Sequence, residues 1–291
     1  MNRKSFAIFV GAIMILSAFA GFVLRGDQSS PAVVAGSVSL ETFGVQGRMV
    51  DWSFESVGDV LEMSPSSTVM AYWINLSAPQ NLTDASRAAL PQSLGLCYGS
   101  QLYPNQIERI AGAYFNNTWA EFHWVKPFRV TYNGLVVPYE NYMMIPTTTD
   151  YVTVMGRPAL FGKQEPIKEV LNVISGGGLS ADKFTLPAGE KADLQVAALG
   201  NAAAGNGAAG LPIPGGYKEF YLGVNAPGRD EGSSYNITAR YLQPDGSAAQ
   251  KARETASRFG LAYTTSASGI AVSGSVSAKD LQGVLEAFLK P

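Results

Sequence analysis

Residues Phe6 to Leu24 run without a charged side chain, and no other feature of this 291-residue chain constrains it as strongly. An α-helix rises ~1.5 Å per residue, so the run spans ~28 Å, close to the hydrocarbon thickness of a bilayer. Arg3 and Lys4 precede it, and Arg25 and Asp27 close it. Basic residues favour keeping their own end inside, which sends everything downstream out of the cytoplasm. The pattern predicts a transmembrane helix within an N-terminal anchor over 1–27. A short stalk over 28–38, rich in Ser, Pro, Ala, Val and Gly, follows it. Cleavage is the competing reading. Ala18-Phe19-Ala20 has the small-x-small form of a processing site, and cleavage there gives a secreted protein starting at Gly21. Because the apolar run continues to Leu24, the expectation is an uncleaved single-pass anchor with an extracytoplasmic C-terminal domain.

The remaining 260 or so residues must fold without covalent help, because the chain has one cysteine, Cys97. A chain of this length buries a sizeable core. Setting aside Arg3, Lys4 and Arg25, acidic residues outnumber basic ones and leave the ectodomain near −5. That balance disfavours nucleic acid and anionic membrane surfaces, which call for basic patches. Four sequons begin at Asn75, Asn81, Asn116 and Asn236, none with Pro in the middle. Outside a membrane they predict a glycosylated surface.

Periodicity predicts an α+β fold. Ser67 to Leu76 reads as a buried strand, and Thr83 to Leu90 as a short helix ended by Pro91. Pro104 to Phe115 reads as a second helix, with Ile107, Ile110, Ala111 and Tyr114 on one face. Strands follow over Ala120 to Val125 and Phe128 to Tyr132, with an Asn133-Gly134 hairpin turn. The most informative pattern is internal. Tyr151 to Met155 and Pro158 to Phe161 form a hairpin, followed by a helix with Ile167, Val170, Leu171 and Ile174 on one side. Leu261 to Thr265 and Ile270 to Ser273 form another, followed by a helix with Leu281, Val284, Leu285 and Phe288. The shared i, i+3, i+4, i+7 spacing makes one buried face on each helix. The expectation is two related units of antiparallel sheet with packed helices, 39–178 and 179–291. The second is interrupted by a Gly/Ala-rich loop at 202–216.

Several phrases resemble exported, membrane-anchored surface proteins of methanogenic archaea. They are the Asn2-Arg3-Lys4 start, the run ending Ala18-Phe19-Ala20-Gly21-Phe22-Val23, Glu121-Phe122-His123-Trp124-Val125, and Pro158-Ala159-Leu160-Phe161-Gly162 before a helix. The repeated hairpin–helix unit is similar to extracytoplasmic domains of unknown function in bacteria and archaea. The resemblance implies a surface location and carries no activity, cofactor or site residue.

Motifs that suggest chemistry meet simpler readings. Gly205-Asn206-Gly207-Ala208-Ala209-Gly210 has the letters of a dinucleotide loop, but Pro212 and Pro214 deny it the helix that would face a pyrophosphate. Gly95-Leu96-Cys97-Tyr98-Gly99 imitates a nucleophile elbow and would need His123, the only histidine, as its base. One histidine builds no His-rich zinc site. In an alternating strand Glu121 and His123 share a face and lie side by side. Asp51, Glu55, Asp59 and Glu62 would form an acidic stripe on a helix, which reads as a solvated face. The aromatic-rich stretch from Tyr114 to Tyr142 offers Trp119, Phe122, Trp124 and Tyr132 as a possible binding surface. No cofactor and no metal are expected. The function expected is a non-enzymatic cell-envelope surface protein with a structural or adhesive role. The alternatives are an extracytoplasmic module binding a glycan or another envelope protein and, more remotely, a Cys97-dependent hydrolase.

Overall fold

The computed structural model describes residues 37–43, 46–91, 93–128, 135–147, 150–200, 215–226 and 234–290. Residues Phe6 to Leu24, Tyr132, the Asn133-Gly134 turn and the 205–210 glycine motif lie outside these residues. Among the described residues no helix is long and apolar enough to cross a membrane.

The chain lays down β1 (Ser37–Ser39), β2 (Arg48–Asp51), α1 (Val57–Met63), β3 (Thr68–Asn75), α2 (Gln80–Ala89) and α3 (Leu94–Leu102). It continues through β4 (Gln106–Phe115), β5 (Thr118–Lys126), β6 (Val137–Tyr139), β7 (Tyr142–Pro146), β8 (Tyr151–Val154), β9 (Gly156–Arg157), β10 (Ala159–Lys163) and α4 (Gln164–Ile174). It closes with β11 (Leu194–Leu199), β12 (Glu219–Asn225), β13 (Ser234–Leu242), α5 (Gly246–Phe259), β14 (Ala262–Thr265), β15 (Gly269–Ser277) and α6 (Leu281–Leu289). The fold class is α+β, and the described residues form one large, mostly antiparallel sheet of 15 strands.

The sheet is continuous across the middle of the chain. Its main path runs β1-β2-β7-β8-β10-β5-β4-β3-β11-β12-β13-β15-β14, and Ala35–Pro291 forms one compact unit. The junction is the antiparallel pair β3–β11, where Ala71 faces Ala197. Outward from that junction both halves repeat one order. Three strands follow in sequence, and then a hairpin inserts its second strand before its first (β10 then β8, β15 then β14).

Strand composition follows position. β3 sits at the centre, and all but its last residue is buried, which its Val-Met-Ala-Tyr-Trp-Ile run suits. β13 alternates exposed or half-exposed Ser234, Asn236, Thr238 and Arg240 with buried Tyr235, Ile237, Ala239 and Tyr241, so only one of its faces is covered.

β4 corrects the helix expected over Pro104 to Phe115. A register shift between Ile107 and Arg109 brings Ile107 and Ile110 to one core, while Ala111, Ala113 and Phe115 enter the other. The bulge imitates helical spacing, and pairing with both β3 and β5 decides for the strand. The β4–β5 turn is Asn116-Asn117, both with positive φ (49 and 58), which asparagine tolerates in two-residue hairpins.

Two cores flank the sheet. The front core joins Tyr72, Val196, Leu222, Ile237 and Val272 to buried residues of α2, α3, α5 and α6. The rear core joins Ala71, Trp73, Ala111, Phe122 and Leu160 to α1 and α4. Both apolar quartets are buried: Ile167, Val170, Leu171 and Ile174 to 2% exposure or less, and Leu281, Val284, Leu285 and Phe288 to 3% or less. They enter different cores, so α4 lies on the rear face and α6 on the front. This departs from the equivalent places expected for the two closing helices. The spacing of a quartet fixes which side of a helix is buried and leaves open which face of the sheet receives it.

Candidate functional site

A buried polar cluster lies beneath α3. Ser93 caps this helix by accepting from the Leu96 amide at 3.2 Å. The amides of Leu94 and Gly95, in the first turn, donate to Glu121 Oε1 and Oε2 at 2.7 and 2.8 Å. His123 Nε2 stands 2.9 Å from Glu121 Oε2, and His123 Nδ1 is 2.9 Å from the Tyr103 hydroxyl. Glu121 is 2% exposed and His123 fully buried. Gly95 is required here, because a Cβ on it would fall 2.4 Å from Ile110 Cδ1 and 2.5 Å from His123 Nε2.

Glu121 Oε2 accepts from His123 Nε2–H, and the Tyr103 hydroxyl shares a hydrogen bond with His123 Nδ1 whose direction follows the tautomer of the ring. Burial first, then the charge of Glu121, pushes the Tyr103 hydroxyl well above its ordinary value of 10.0 and keeps its proton in place. The same two causes, in the same order, raise Tyr72 and Tyr114. Every polar atom of Glu121 and His123 is thereby engaged in tying β5 to the start of α3 and to Tyr103. The cluster acts as a pin.

Cys97 is exposed on α3, and both nitrogens of His123 are committed elsewhere. The Cys–His dyad is therefore not assembled, and the Gly95 to Gly99 stretch lies inside a kinked helix. Side-by-side placement of Glu121 and His123 is readable from strand alternation. Tyr103 and Ser93, which complete the cluster, follow from no local pattern, because they reach it through the path of α3.

The aromatic residues do not form one platform. Phe122 is wholly buried in the rear core. Trp124 is half-buried, stacked on Phe54 at 6.3 Å with the Arg109 guanidinium 5.3 Å from its ring centre. Trp119 points to the front face and stacks on Tyr151 at 5.8 Å. The acidic residues separate too. Asp51 pairs with Arg157, Glu55 with Arg109 at 2.5 Å, Asp59 closes the capping box of α1, and Glu62 accepts from the Trp52 indole. Among the described residues no group of three or more His, Cys, Asp or Glu could hold a metal ion.

A groove of about 590 Å3 opens where the β4–β5 turn, the start of β8 and the first turns of α4 meet. Asn116 and Thr118 line one side, Asp150 and Tyr151 another, and Glu165 and Glu169 a third. Tyr151 is half-buried and stacked at 9° on Phe161, 5.5 Å away. Asn116 Nδ2 donates to Glu169 Oε2 at 3.1 Å.

The other sequon asparagines vary in setting. Asn81 is exposed and accepts from the Tyr235 hydroxyl. Asn236 is exposed on the rear face of β13, between Asn225 and Ser275 on the neighbouring strands. Asn75 is half-buried, its Nδ2 held by Asp193 at 2.9 Å and its Oδ1 by the Ser77 amide at 3.0 Å.

No protein-family profile matches the sequence. No curated protein matches it either. Two crystal forms of TP0453, a spirochete protein, are similar in structure. Form III has a TM-score of 0.48 at 9% identity, over 78% of this chain and 97% of that one. Form I has 0.47 at 9% identity, over 79% and 97%. A likeness this distant transfers nothing of TP0453's chemistry.

Proposed function

We propose that this chain is a non-enzymatic cell-envelope protein, held in the membrane by Phe6 to Leu24 and displayed outside, where its role is structural or adhesive. The placement of the sequons carries this reading: Asn81, Asn116 and Asn236 are all exposed. A glycan cannot enter a packed core, and these positions leave room for one. The apolar N-terminal run and the resemblance to exported proteins of methanogenic archaea support the same location. Intact-mass analysis and N-terminal sequencing of native material test it. The expected result is a chain that retains Phe6 to Leu24 and carries sugar mass. A start at Gly21 removes the anchor, and unmodified asparagines remove the glycoprotein.

A binding role for an envelope glycan is the second reading, favoured by the groove beside Tyr151. Its carboxylates, Asp150 and Glu169 among them, are groups that hydrogen-bond sugar hydroxyls.

A further inference from the structure

We propose that the glycan on Asn116 folds back, so that its first pyranose lies in the groove between the β4–β5 turn and α4. This rests on the surface reading above, because glycosylation requires export. Asn116 lines this groove, and Thr118 of the same sequon lines it as well.

Attachment itself is ordinary chemistry. Asn116 Nδ2 attacks C1 of a sugar carried on a lipid phosphate, the donor of a membrane transferase. The N–C1 bond forms, the C1–O bond to phosphate breaks, the phosphate leaves with the electron pair, and one amide proton passes to a base of the transferase. The glycosylated amide retains one N–H. That hydrogen can keep the bond to Glu169 Oε2, now 3.1 Å long, and the bond aims C1 along the groove.

The walls suit a neutral pyranose. Asp150 and Glu169 accept from hydroxyls, beside Lys163 and Glu165, whose Oε1 is paired with Lys168 at 2.7 Å. The Lys163 side chain makes no cap on α4, whose first turn lines the groove. The other sequons lack this setting. Asn75 is half-buried where Asn116 is exposed, Asn81 holds Tyr235, and Asn236 stands on an open strand face.

The test compares native wild-type protein with Thr118→Val, which destroys the sequon and leaves Asn116 beside Glu169, and with Thr118→Ser, which preserves the sequon. Glycopeptide mass spectrometry reads occupancy, and amide hydrogen exchange reads residues 150–152 and 163–169. The expected result is a sugar on Asn116 in wild type and Thr118→Ser. In both, exchange in the two segments is several-fold slower than in Thr118→Val. Two results overturn the proposal: an unmodified Asn116 in exported protein, or a modified one with exchange unchanged in both segments. Sugar on Asn81 or Asn236 with Asn116 bare defeats this inference and leaves the surface reading standing. Retention of the domain in the cytoplasm defeats the surface reading itself.

Discussion

The rear face of the sheet is two surfaces. Over the first half, Ala71, Trp73, Ala111, Phe122 and Leu160 are buried beneath α1 and α4. Over the far end of the second half, β13 and β15 present Asn236, Ser273 and Ser275 to water, with Thr238 and Arg240 half-exposed. On the front face, α2 and α3 share one core with β3 and β4 and with α5, α6 and the strands of the second half, and α2 packs on α6. The difference arises in the strands. A strand with apolar residues at every position requires cover on both sides, and an alternating strand requires it on one. β3 is of the first kind and β13 of the second. α6, following a front-facing core, had no apolar rear surface to settle on.

The largest expected effects come from the two quartets, which should be equally important despite lying on opposite faces. Leu171→Ala and Leu285→Ala should each cost ~2–5 kcal/mol by denaturant unfolding, through lost burial and a cavity. One large and one negligible loss would mean that one helix is only loosely docked, which breaks the comparison. The pin beneath α3 comes next. Glu121→Ala strands the amides of Leu94 and Gly95 and the His123 N–H, so a loss of ~1–3 kcal/mol or more is expected in the same measurement. No loss would show that water replaces the carboxylate and that the pin is decorative.

The same region gives a pH signature. Tyr103 keeps its proton in the folded protein above its ordinary value of 10.0, where the unfolded chain gives its proton up. The folded state then binds more protons, so stability is full below about pH 10 and falls as pH rises beyond it. Tyr72 and Tyr114 act in the same direction. Unfolding midpoints followed into alkali should drop, and Tyr103→Phe should make the drop shallower. An identical slope would place the cause elsewhere. The smallest effects belong to the open rear surface. Ser273→Ala and Ser275→Ala should each stay within ~0.5 kcal/mol. A larger loss would mean that this face is covered in the intact protein.

Sequence patterns reached the strands and helices that have one unambiguous environment. The quartets of α4 and α6 and the alternation of β13 are readable because a single buried side imposes a single period. β4 was not, because a bulge within a doubly buried strand reproduces the i, i+3, i+4 spacing of a helix. Helix placement on the front or rear face was equally hidden, since it depends on which strand surfaces remain uncovered after the sheet has assembled. Within the polar cluster, Glu121 and His123 could be paired from their spacing. Tyr103, Ser93 and Gly95 could not, because each arrives from outside the strand. The groove beside Asn116 was invisible for the same reason, being assembled from a turn, a strand start and a helix start far apart in the chain.

For the proposed display of the sheet outside the membrane, the chain carries its own probe. Cys97 is the only cysteine, and it is exposed on α3. A membrane-impermeant maleimide applied to intact cells should label Cys97 as fully as it does after lysis. Labelling that appears only once the membrane is broken would place the domain in the cytoplasm and contradict the account.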